Sequence, residues 1–217
     1  MRGVAKERLG SPRARLFVAL DLPDRMRAGL EAWAARELTD PALRPVGSEA
    51  LHVTLCFLGW QRERDIDGIA AEIAAVEGRR VGLRFEPDPV AVPRDRRAKR
   101  LYAIDAPSLD TDQLQAELSD RLEAAHFYKP EKRPFWSHVT VARVRSEKPP
   151  KAPGGGRGKR RKGRPRVIER PPGPLPEELL QPSEAVRVRL YRSYLRSAGA
   201  EYVPLAGFEL PQGESAA

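Results

Sequence analysis

The sequence predicts an α+β domain built from two pseudo-symmetric lobes, and three observations carry that prediction. Strand-like and helix-like apolar spacings alternate through the first half, whereas hairpin-type turns dominate the later part, which disfavours a doubly wound parallel sheet. The tripeptide His-Val-Thr occurs twice, at 52–54 and 138–140, in corresponding positions of the two halves. The chain has 217 residues and 41% hydrophobic content, enough for one large domain or two closely packed lobes around a core.

Taken in order, Arg15-Leu-Phe-Val-Ala-Leu-Asp21 reads as a short strand closed by Leu22-Pro23. Asp24 is placed to cap a helix in which Leu30, Trp33, Ala34 and Leu38 recur at helical spacing. Leu51 to Leu58 alternates as a strand and stops at Gly59. Ile66, Ile69, Ile73 and Val76 mark a second helix, closed by Gly78. Val81 to Phe85, Val90 to Val92 and Leu101 to Ile104 read as strands, the last two joined through the basic, hairpin-like PRDRRAKR. Leu114, Leu118 and Leu122 mark a third helix. His138 to Val144, Ala185 to Leu195 and Tyr202 to Leu210 complete the strands.

The net charge of +9 belongs to one segment. Residues 145–174 hold 11 Lys/Arg against 2 Asp/Glu, and the rest of the chain carries 28 of each sign. The same 30 residues contain 7 prolines and 6 glycines with no hydrophobic period, so a disordered basic insertion is expected there, able to gather RNA by counterion release. The expected organisation is a flexible N-terminus over 1–14, one bilobal domain over 15–210 carrying that insertion, and a flexible C-terminus over 211–217. No apolar run reaches the roughly 18–20 residues of a membrane span. The charged start, MRGVAKERLGSPRAR, lacks the apolar core of a signal peptide. A soluble, cytoplasmic protein with no membrane partner is expected, and a monomer. The single cysteine, Cys56, excludes an internal disulfide and a Cys/His metal cluster.

Two of only three histidines open the repeated tripeptide. On a strand, side chains alternate between faces. Leu51, Val53, Leu55 and Phe57 then share one face, and His52, Thr54 and Cys56 the other; Val139 and Val141 oppose His138 and Thr140. Each strand anchors in a core and presents an imidazole beside a hydroxyl. Imidazole titrates near pH 6.5, so one ring can be neutral while its partner is protonated, the arrangement for concerted general base and acid work. Threonine hydroxyls can donate to oxygens whose charge rises in the transition state. A phosphodiester cleaved in line needs these groups and no metal. Zinc would want a further protein ligand, and neither motif has an acidic neighbour. Cys56 reads as a small buried filler, and His126, four residues after Leu122, as a packing or helix-dipole residue at a helix end. A non-catalytic RNA-binding module that keeps the cleft and adds a basic segment is the alternative from a different class.

The motifs HVTL at 52–55 and HVTV at 138–141 resemble the two H-x-T/S-x motifs that name the 2H phosphoesterases. The bacterial and archaeal RNA 2′,3′-cyclic phosphodiesterase branch, the LigT or ThpR type, is similar throughout: RLFVALDLP, HVTLCFLG, RPFWSHVTVAR and VRLYRSYLRSAGAEYVPL all match its pattern, from about Arg15 to Leu210. The chain departs from it at Trp136-Ser137, where the family often has proline before the histidine, and in the basic insertion.

The resemblance implies two antiparallel sheets flanking a central cleft, with helices outside, and an RNA 2′,3′-cyclic 3′-phosphodiesterase that also runs in reverse as a 2′–5′ RNA ligase. His52 would be the proton donor to the leaving 3′-oxygen and His138 the proton acceptor that activates water. Thr54, Thr140 and Arg143 would hold the phosphate, with no metal and no cofactor. The implied partner is RNA with a 2′,3′-cyclic phosphate end, tRNA fragments among the candidates. Plain alternation puts Arg143 on the face opposite His138, so its role requires the strand to bend or end there.

Overall fold

A computed structural model describes residues 12–76, 78–147, 163–196 and 199–213. Its elements are β1 (Arg13–Asp21), α1 (Asp24–Glu37), β2 (Leu43–Pro45), β3 (His52–Arg62), α2 (Ile66–Ala74), β4 (Gly82–Leu83), β5 (Val90–Val92), β6 (Leu101–Asp105), α3 (Leu109–Ala124), β7 (His138–Val144), β8 (Ser183–Glu184), β9 (Arg187–Arg196) and β10 (Gly199–Glu209).

Every strand pair among the described residues is antiparallel. One half-sheet runs β10-β9-β1-β3 and the other β7-β6-β5, with β2 also on β7. They meet at a single pair of residues, Val53 opposite Val139. The two expected sheets are thus continuous at one point, and the cleft lies over the seam. The core faces of both halves and the apolar faces of α1, α2 and α3 close one hydrophobic cluster, in which Leu16, Leu20, Leu30, Trp33, Ile69, Ile104, Leu114 and Val139 are buried. Among the described residues no helix is long and apolar enough to cross a membrane.

The halves repeat each other beyond the His-Val-Thr motif. Ala19-Leu20-Asp21-Leu22-Pro23 ends β1 and leads into α1; Ala103-Ile104-Asp105-Ala106-Pro107 ends β6 and leads into α3. Each of these strands flanks a motif strand in the same register. Asp21 opposes His52 and Ala19 opposes Thr54, while Asp105 opposes His138 and Ala103 opposes Thr140.

Several local expectations are corrected. β3 does not stop at Gly59 but runs to Arg62; Gly59 sits at φ +69°, a conformation glycine adopts without strain, within a bulge against Leu16. Asp24 does not cap α1: the N-cap is Pro23, and Asp24 is the first helical residue, where its charge suits the helix dipole. Val81–Phe85 shortens to Gly82–Leu83, which pairs with the unanticipated β8. β1 begins at Arg13, inside the stretch expected to be flexible, because Arg13 and Ala14 pair with Arg62 and Gln61. Beyond Leu210, Gly213 N–H still donates to Glu184 (2.7 Å).

The two described ends of the basic insertion, 145–147 and 163–174, are held in place despite their composition. Arg166 N–H donates to the Arg145 carbonyl (2.9 Å) and Glu147 N–H to that of Arg164 (2.8 Å), so the segment leaves and returns as a paired ribbon. Farther on, the N–H groups of Glu169 and Arg170 both donate to the buried Asp40 carboxylate, each at 2.8 Å. Trp33 Nε1 donates to the Pro174 carbonyl (3.0 Å). A segment with little to bury is held by its backbone instead. Residues 148–162, on which much of the expected disorder falls, lie outside the described residues, as do 1–11 and 214–217.

Candidate active site

Val53 and Val139 face the core, so their neighbours on β3 and β7 face away from it. Continuing the Val53–Val139 register sets His52 across from Thr140, and Thr54 across from His138. The four side chains form a square about the seam, each imidazole diagonal to the other. All four line one cleft, together with Phe17, Arg44, Phe57, Arg143 and Tyr202. Strand alternation put each pair on one face, and the structure brings the two pairs together.

Beyond the square, both motif strands depart from plain alternation. Across from β1, Val18 pairs with Cys56 and Ala19 with Thr54, so Leu55 is an extra residue. Across from β6, Tyr102 pairs with Ala142 and Ala103 with Thr140, so Val141 is an extra residue. Each motif strand thus bulges just after its threonine, and the face reverses. Leu55 and Cys56 both enter the core, as do Val141 and Ala142. Phe57 and Arg143, three positions after the threonines, swing into the cleft. Two expectations change accordingly. Cys56 is not on the His52 face; it is buried, and burial pushes its thiol up to about 12, far from a nucleophile. Arg143 is on the His138 face, because the strand bulges just after Thr140. His126 needs correction too. It is exposed, beyond the end of α3, at φ +60°. Its N–H bonds the Glu123 carbonyl and Phe127 N–H bonds that of Leu122 (both 2.9 Å), so it serves as the left-handed residue that terminates the helix.

Each imidazole has its own aromatic bed. Phe17 stacks on His52 (centroids 5.1 Å apart), Tyr202 meets it edge-on (5.4 Å), and Tyr191 lies at 5.8 Å. Trp136 lies flat on His138, 3.8 Å between centroids and 11° between planes. The two paired aspartates hold these beds. Tyr191 donates its hydroxyl to Asp21 Oδ1 (2.8 Å), and Asp21 also pairs with Arg189 (3.1 Å). Trp136 donates Nε1 to Asp105 Oδ1 (2.7 Å), and Arg94 grips both oxygens of Asp105 at 3.0 and 2.9 Å. Arg94 also lies over the indole, 4.9 Å from its centroid. Sequence reasoning missed this second layer. The repeated Ala-x-Asp-x-Pro of β1 and β6 was the signal that could have found its aspartates.

The electrostatics differ between the two rings. Burial lowers His52 to about 4, reinforced by repulsion from His138. The Glu49 backbone opposes that shift without completing a hydrogen bond, and His52 Nδ1 is buried with no partner among the described residues. Burial also lowers His138, but the Trp136 carbonyl and the Asp105 carboxylate pull the other way, against Arg94. His138 Nδ1 lies 2.7 Å from that carbonyl, which can only accept, so Nδ1 carries the hydrogen. The neutral ring therefore turns a basic Nε2 lone pair outward. Chemically, the cleft offers a base, a second titrating imidazole and two hydroxyl donors within one square, with a guanidinium beside it. Among the described residues no group of three or more His, Cys, Asp or Glu side chains is arranged to hold a metal.

No family model matches the chain. A protein of Escherichia coli (strain K12) named RNA 2′,3′-cyclic phosphodiesterase is 30% identical over 136 residues, covering 61% of this chain and 73% of that one. The crystal structure of E. coli LigT in apo form superimposes with a TM-score of 0.67 at 24% identity, over 93% of this chain and 100% of that one. The crystal structure of a Thermus thermophilus protein superimposes with a TM-score of 0.64 at 27% identity, over 90% and 97%.

Proposed function

Because the chain belongs to the 2H phosphoesterases, on their RNA 2′,3′-cyclic phosphodiesterase branch, we propose that it hydrolyses 2′,3′-cyclic phosphate ends of RNA to 2′-phosphomonoesters by acid–base catalysis between His52 and His138. The observation that carries this reading is the square of two imidazoles and two hydroxyls about the seam.

In the proposed step, His138 Nε2 takes a proton from water as the water oxygen bonds to phosphorus. The bond from phosphorus to the 3′-oxygen breaks, and protonated His52 supplies the hydrogen of the new 3′-hydroxyl. The pair ends with its proton exchanged, and loss of a proton from His138 to solvent with uptake of one by His52 resets it. Thr54 and Thr140 donate to the non-bridging oxygens, and Arg143 offsets their charge. The orientation of His138, Nδ1–H to the Trp136 carbonyl, supports its role as acceptor. His52 must gain its proton despite burial, and an anionic phosphodiester between the rings favours that. With the 5′-hydroxyl of a second RNA fragment in place of water, the same displacement joins the fragments: the 5′-oxygen bonds to phosphorus, His138 takes its proton, and the 3′-oxygen leaves with the proton of His52, giving a 2′–5′ linkage. The proposed partner is an RNA fragment with a cyclic end, tRNA halves included, acted on by a monomer without metal.

Incubation with 2′,3′-cyclic AMP in the presence of a chelator, with identification of the product isomer, tests this. The expected product is the 2′-phosphate, lost by orders of magnitude in His52→Ala and His138→Ala. Near-normal turnover in either variant removes the two-histidine mechanism, and no turnover by the intact protein leaves the RNA-binding module.

A further inference from the structure

The cleft face of β1 and β3 does not end at Thr54. Phe57, Trp60 and Arg62 follow along β3, and Arg15 and Arg13 stand opposite Trp60 and Arg62 on β1. Residues opposed across an antiparallel pair share a face. On β1, Ala14, Leu16 and Val18 are in the core, so Arg13 and Arg15 share the other face with Phe17, the ring that stacks on His52. These five residues therefore lead outward from the catalytic imidazole on its own side of the sheet.

Two of them are large aromatics left in water: Phe57 is 54% exposed and Trp60 61%. The other two tryptophans are engaged, Trp33 in the core and Trp136 on His138. The three arginine side chains make no ion pair with another described residue, and the nearest acid along β3, Glu63, is taken by Arg192 (2.7 Å). Exposed aromatic faces amid cations that have no acidic partner among the described residues are the pattern that single-stranded nucleic acid requires: stacking for bases, charge for phosphates.

We infer that this strip binds the single-stranded RNA continuing on the 5′ side of the terminal phosphate, an inference that rests on the phosphodiesterase reading above. Bases stack on Phe57 and Trp60, which oppose Phe17 and Arg15 two residues apart on β1 and so stand roughly 7 Å apart along the strands, and Arg13, Arg15 and Arg62 meet the backbone. A cyclic mononucleotide fills the square and leaves the strip empty. The strip thus makes the protein discriminate by length, favouring an oligonucleotide end over the mononucleotide.

The test uses the full chain and two variants outside the catalytic square, Trp60→Ala and Arg13→Ala/Arg62→Ala. Binding of a fluorescent six-nucleotide oligoadenylate with a 3′-terminal phosphate is measured by anisotropy across a salt series, beside kinetics on 2′,3′-cyclic AMP. Trp60→Ala should weaken oligonucleotide binding about 5- to 100-fold, the range expected when one base no longer stacks. The double arginine variant should flatten the salt dependence by about 0.7 units for each phosphate left unneutralised, the single-strand value. Mononucleotide kinetics and melting temperature should not move. Unchanged oligonucleotide affinity overturns the strip, as does a Trp60→Ala effect seen only as altered self-association, which would assign the aromatics to a second copy. Because binding needs no turnover, an intact protein inert toward 2′,3′-cyclic AMP would refute the phosphodiesterase reading while leaving the strip testable on its own.

Discussion

Trp136 holds His138 twice, its indole flat on the imidazole at 3.8 Å and its carbonyl 2.7 Å from Nδ1. The first contact fixes the plane of the ring and the second its tautomer. Asp105 fixes the indole in turn, through a 2.7 Å bond from Nε1. Asp105 also favours a protonated His138 by charge. Asp105→Asn keeps the shape and removes that charge, so His138 should titrate lower still and the acid limb of kcat/KM should move to lower pH. An NMR titration of the His138 ring, beside the pH–rate profile, reads both. If turnover falls while the titration stays put, Asp105 acts as scaffold alone.

His52 supplies a pH-dependence that needs no substrate. Its folded value of about 4 lies below the unfolded value near 6.5. A depressed histidine leaves the unfolded chain holding more protons, so its contribution is complete above pH 6.5 and is lost as pH falls toward 4. The gap corresponds to about 3 kcal/mol at most. His52→Gln should remove this part of the slope, seen as the difference between wild type and variant in denaturant unfolding at pH 7 and at pH 4.5. Parallel curves would show that the ring is not desolvated in solution.

The bulges after Thr54 and Thr140 make a separable claim about Arg143. With the face reversed, its guanidinium lies in the cleft, and Arg143→Met should lower kcat/KM about 10- to 100-fold, the worth of a charged hydrogen bond. Thr54→Val and Thr140→Val should cost up to about 2.7–4 kcal/mol in transition-state binding. None of the three should lower the melting temperature much, since none contributes to the core. Full activity in Arg143→Met would return that side chain to the opposite face.

Val53, Val139 and their apolar neighbours repeat with a strand's period, so the strands and the His-Thr faces were legible from spacing alone. Bulges break that period by one residue, and nothing in Leu55-Cys56 or Val141-Ala142 announces that both side chains will be core. The register with β1 and β6 decides it, and register is a tertiary property. Gly59 misled for a related reason: a glycine that ends a strand and one that lets a strand bulge look alike in sequence. The aromatic beds were invisible because Phe17, Tyr191 and Trp136 reach the histidines from three different strands or loops.

The basic insertion shows how composition can mislead over part of a segment, and it supplies the last prediction. Asp40, 3% exposed, accepts N–H groups from Ala42 (2.7 Å), Glu169 and Arg170 (2.8 Å each). These bonds, Arg170 first, hold its carboxyl below the ordinary range. The stability they supply is therefore present above the unfolded value near 3.9 and is lost as pH falls through the folded one. Asp40→Ala strips the carboxylate from two neighbouring backbone donors of the returning segment, leaving Trp33 to Pro174 and Glu37 to Gly173 as anchors. The melting temperature should fall, and limited proteolysis between 163 and 174 should accelerate. Kinetics on 2′,3′-cyclic AMP should hold, because none of these residues lines the cleft. Replacing only 148–162 with a short Gly/Ser link should leave the melting temperature alone, since the sequence of that stretch, rich in Lys, Arg, Gly and Pro, offers almost no apolar surface to bury. A fall in melting temperature on that replacement, with none in Asp40→Ala, would move the anchoring of the insertion from Asp40 to residues 148–162.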